Sequence, residues 1–68
     1  MAIELARQAV CHSTDRCVRF CAIDVIACCR ACSASLHALL VSAARARSER
    51  DAEMESACWE VIDRFVQG

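Results

Sequence analysis

No proline interrupts this chain of 68 residues, its single glycine is the terminal Gly68, and lysine is absent, every basic residue being arginine. Each absence excludes something. Without glycine or proline to punctuate the backbone, strands joined by tight turns are disfavoured and helix is the default. The formal net charge is -1, and no basic cluster interleaves with aromatic residues, so the composition does not describe a nucleic-acid binder. Long apolar runs are also missing, because Arg19, Asp24 and Arg30 break them, and no membrane span is expected. The stretch from Met1 to Val10 carries Glu4 and Arg7 and has no signal-peptide pattern, which leads to an expectation of a cytoplasmic protein.

What is present is 57% hydrophobic residues, rich in alanine, on a chain long enough for one domain over 1–68. A core this small needs a staple, whether disulfides, a metal or partner subunits. The pattern is all-α and reads as three helices, about 2–12, 15–46 and 49–67. The first has a modest apolar face of Ile3, Ala6, Ala9 and Val10. Ser13, Thr14 and Asp15 supply N-cap chemistry for a break, although the helix can also continue through them. The second carries a stripe of Cys17, Cys21, Val25, Cys28, Cys32, Leu36 and Leu39, spaced as a heptad-like seam. Ser48 and Asp51 read as a capping box for the third, whose apolar face is Met54, Cys58, Val61, Ile62 and Phe65. The expected architecture is a short N-terminal helix followed by an antiparallel hairpin, which closes its seam by assembling into a four-helix-type bundle as a homo-oligomer.

The chain holds seven cysteines. An odd count at helical spacing, with no export pattern, argues for free thiols rather than a disulfide scaffold. Cys17 with Cys21, and Cys28 with Cys32, form two C-x-x-x-C pairs. Residues four apart on a helix stand about 5–6 Å apart at Cβ, close enough for two thiolates to hold one ion. Thiolates are soft ligands, and Cu(I) accepts both sulfur and low coordination number. One long helix would set Cys17 and Cys32 roughly 22 Å apart, so the four thiols cannot share one ion within it. A tetrahedral zinc site or an iron–sulfur cluster would need a second chain. Cys29, on a neighbouring flank, Cys11, near the expected break, and a Cys58/His37 pair across the hairpin complete the candidate ligands. Free cysteine also packs as a small hydrophobe, so a structural or partner-binding hairpin with cysteine as core filler stands as the alternative.

The C-x-x-x-C pairs on one helix of a small all-α chain resemble the bacterial copper storage proteins, which are cysteine-lined four-helix bundles. The resemblance covers about residues 11–32 and implies Cu(I) ligation by Cys17, Cys21, Cys28 and Cys32. This chain is one hairpin rather than a full bundle, and its last helix carries only Cys58, so a small oligomeric binder or buffer is implied before a bulk store. No catalytic set is evident and no enzyme is expected. Cys29 and Cys32 have C-x-x-C spacing, but they lie mid-helix, away from any N-terminal dipole.

Overall fold

In the computed structural model, which describes residues 2–67, the chain forms α1 (Ile3–His12), α2 (Arg16–Cys28), α3 (Ser33–Ser48) and α4 (Ala52–Gln67). The all-α expectation holds. The expected second helix does not run through, because Cys29 and Cys32 adopt extended backbone, φ -95 and -148, and divide it into α2 and α3. Two helical hairpins result, α1 against α2 and α3 against α4, and they pack together chiefly through α1 on α3. An unbroken helix over 15–46 would be roughly 48 Å long. The observed body measures 28 × 24 × 15 Å with a radius of gyration of 10.4 Å. That is close to the ~11 Å of a folded domain of this length.

Local chemistry sets each helix end. Asp15 opens α2 by accepting the amides of Cys17 and Val18 at 2.9 and 3.3 Å. The α4 cap is Asp51, which accepts the Met54 amide at 3.1 Å; Ser48, expected to share that role, is instead the last residue of α3. Arg16 clamps Asp51 with two hydrogen bonds of 2.8 and 3.0 Å, stacks over Phe20, and holds the carboxyl down at about 2. Between α3 and α4 the Asp51 amide returns to the Ala46 carbonyl and the Arg50 amide to that of Arg47. This is a Schellman turn, and its left-handed position, φ 58, is occupied by Arg50 rather than glycine.

The core gathers Val10 from α1, Ile23 and Ile26 from α2, Leu39 from α3, and Met54, Cys58, Val61 and Ile62 from α4. Each fully buried aliphatic side chain of this size contributes about 1.5–3 kcal/mol. The inward face of α3 is otherwise small, with Ser35, Ala38, Ser42, Ala43 and Ala46, which lets α1 and α4 approach closely. One charged side chain enters the core. Arg19 is 3% exposed, donating to the Glu49 carboxylate at 3.0 Å and to the Ser42 hydroxyl at 3.2 Å. Its Nε finds no acceptor among the described residues, an omission that costs ~1–3 kcal/mol.

Arg50 bears a Cβ in a conformation that disfavours one, and its side chain makes no hydrogen bond among the described residues. Arg50→Gly is expected to stabilise the protein by about 0.5–1 kcal/mol, raising Tm by roughly 3–6 °C for a domain of this size. A thermal melt checks this; an unchanged or lowered Tm would contradict the Schellman assignment.

Candidate functional site

The break between α2 and α3 reorients the thiols. A helical step of about 100° puts Cys17, Cys21, Asp24 and Cys28 on one face of α2, and Arg19, Ala22, Ile23 and Ile26 on the opposite face. The second set is buried, while all four residues of the first are exposed. The expected cysteine seam therefore points to solvent. The correction has a simple cause: isoleucine buries more apolar surface than cysteine, and the two faces compete for one core. Val25, also assigned to the seam, is only half-buried, whereas Leu39 is fully buried as expected.

Five cysteines, Cys17, Cys21, Cys28, Cys29 and Cys32, are exposed and free; Cys11 is half-buried and Cys58 buried. Cys58 lies inside the core, its thiol donating to the Ser42 hydroxyl at 3.4 Å, and burial raises its pKa. Cys11 turns toward α3, its thiol donating to the Ala38 carbonyl at 3.5 Å. Desolvation raises its pKa too, against the pull of Arg19 and Arg45. His37 is exposed and faces α1 across a groove, so it is not joined with the buried Cys58 as expected. Among the described residues no group of three or more histidine, cysteine, aspartate or glutamate side chains is gathered to hold one metal ion. What the chain supplies is pairs.

The break creates one position that helical periodicity hides. Cys32, read as mid-helix, is the N-cap of α3, and its sulfur accepts the Ser35 amide at 3.4 Å. The Ser35 hydroxyl also lies 3.4 Å from the sulfur, and Arg7 of α1 brings Nη1 to within 3.9 Å. These partners favour the thiolate. The Ser35 hydroxyl has the largest effect, followed by the Ser35 amide, with Arg7 adding a smaller one, and together they hold the Cys32 pKa below that of a free cysteine. Cys28 and Cys29 end α2 at the same corner. Sequence reading missed Arg7, 25 residues from Cys32, and Ser35. Only the Cys32-x-x-Ser35 spacing, which matches an N-cap and its N3 partner, could have signalled Ser35.

Beside this corner, Arg7, Gln8, Cys11, His12, His37 and Val41 help to line an open groove of about 390 Å³ between α1 and α3. Compared with protein-family models, with curated proteins and with solved structures, the chain matches none.

The microenvironments predict an order of reactivity. With iodoacetamide at neutral pH, Cys32 is expected to be alkylated first, and its rate should rise at a lower pH than that of a free cysteine. Cys58 should stay unmodified until denaturant is added. Peptide mass mapping over time checks both; early labelling of Cys58 would mean that the core assignment is wrong.

Proposed function

We propose that the protein binds soft metal ions, Cu(I) first among them, through thiolates displayed on its surface. The observation that carries this reading is the exposed face of α2, where Cys17 and Cys21 stand one turn apart with neither sulfur in a disulfide. Two thiolates at that spacing suit a two-coordinate ion. Cys28 adds a further exposed thiol on the same face, two turns beyond Cys21, and Asp24 between them adds negative charge. Thiolates of this kind persist in a reducing compartment such as the cytoplasm.

The likeness to copper storage proteins supports thiolate ligation but not bulk storage. A store encloses its thiolates in a bundle core, whereas the outward-facing thiols of this chain suit capture and transfer of single ions. A zinc or iron–sulfur site is the alternative. It would be completed between copies of the chain, with the α2 face of one protomer meeting that of another in a homo-oligomer.

Anaerobic titration with Cu(I) against a competing chelator tests the reading. The Cys17→Ser/Cys21→Ser variant should bind one Cu(I) fewer per chain than the wild type, with an unchanged circular dichroism spectrum, because both side chains point to solvent. Equal uptake by the two proteins would remove the α2 pair from the site. Zinc binding accompanied by a doubling of mass would replace the copper reading with the shared tetrahedral site.

A further inference from the structure

The C-x-x-C pair of Cys29 and Cys32 is a second thiol device, distinct from the α2 face. Both side chains are exposed, and the residues between them, Arg30 and Ala31, lie outside any helix. A helix interior would fix such a pair at helical spacing, and closing a disulfide there would distort the backbone, since the bond requires Cβ atoms about 3.5–4.5 Å apart. Here Arg30 and Ala31 make no hydrogen bond among the described residues, so the segment can turn without breaking a helical ladder. Of the two sulfurs, only Cys32 sits at a helix start, facing the Ser35 amide and hydroxyl with Arg7 behind it.

The groove between α1 and α3 adjoins this sulfur through Arg7, which lines the groove and also reaches Cys32. Its volume, about 390 Å³, is that of a small-molecule site. Arg7, His12 and His37 line it with no acidic residue among the lining, although Glu4 stands 4.0 Å from Arg7 at its edge. Cys11 lines the groove itself, but its thiol is half-buried and engaged with the Ala38 carbonyl; Cys32 stands outside the lining, is exposed, and contacts the lining residue Arg7.

We propose that Cys32 and Cys29 form a thiol–disulfide exchange site for a small anionic organic disulfide seated in the α1–α3 groove. The Cys32 thiolate attacks one sulfur of the substrate; the S–S bond breaks, a mixed disulfide forms on Cys32, and one substrate thiolate leaves. Cys29 loses its proton to solvent and attacks the Cys32 sulfur. The Cys29–Cys32 disulfide forms and the second substrate thiolate departs. The dithiol gives up two electrons and two protons, and the substrate is reduced to two thiols. Cys32 is the attacking residue, Cys29 the resolving residue, and Arg7 positions and favours the thiolate.

The probe is glutathione disulfide, applied to the full chain with a metal chelator present so that the α2 pair plays no part. Wild type should form the Cys29–Cys32 disulfide, identified by peptide mass mapping, without accumulating a glutathione adduct on Cys32. Cys29→Ser should trap that adduct, and Cys32→Ser should abolish both products. The latter variant stays folded because serine is itself a good N-cap. Cys32 should react severalfold (~3-fold or more) faster than Cys17, because the Ser35 amide and Arg7 face its sulfur at the helix start. Arg7→Gln should slow Cys32 and move its pH profile upward. Glutathione disulfide should outpace cystamine, a cationic disulfide, by several-fold. Adducts spread evenly over the exposed cysteines, or a Cys29→Ser variant with no adduct at Cys32, would overturn the site. Equal rates for the two disulfides would overturn the groove's part in it. Cys17→Ser/Cys21→Ser should react as wild type does, which keeps failure of this inference separate from failure of the metal reading.

Discussion

The sulfur of Cys32 accepts the Ser35 amide at a helix start where a hydroxyl or carboxylate is the usual acceptor, and the rest of the architecture follows from that cap. With α3 beginning there, the chain folds back on itself and presents four helices to one another. Ile26 of α2 and Leu39 of α3 then share a core, both fully buried. On an unbroken helix the rise between them would be about 20 Å, too far for the two side chains to meet. The same break moves Cys29 and Cys32 from the middle of a helix to a corner, where they border non-helical backbone and a cation from α1.

The interior is held by fit as much as by apolar bulk. Alanine and serine along α3 allow close approach of its neighbours, and the polar residues among them are used. Ser42 receives both the Arg19 guanidinium and the Cys58 thiol, and Glu49 joins Arg19 to Arg45 at the surface. Breaking one member of such a buried network leaves a charge without its partner, which is more costly than the pair itself is favourable. The arrangement fixes α2 over the α3–α4 hairpin, and so determines which face of α2, with its thiols, remains outside.

Much of the fold is legible in the chain. The α1 and α4 faces follow from periodicity, and Asp15 marks the start of α2 because a side-chain carboxylate is a familiar cap. The division of the central helix is not legible. Neither proline nor glycine marks it, and cysteine counts as an apolar residue in any periodicity, so its role as a cap is hidden. The common face of Cys17, Cys21 and Cys28 was readable, but its direction was not. Choosing the buried side of α2 requires knowing that Arg19 is accommodated inward, and its partners Ser42 and Glu49 lie 23 and 30 residues away. An arginine alone reads as a surface residue.

Both functional readings depend on the corner at residues 29–32, which turns the α2 thiols outward and opens Cys32 to solvent. The most direct test is the set of backbone 13C chemical shifts of the reduced protein in solution. Helical Cα shifts are expected over 16–28 and 33–48, with a fall to extended values from Cys29 to Cys32. Unbroken helical shifts from Arg16 to Ala46 would contradict the account, restoring the continuous helix and carrying the cysteines back to its seam.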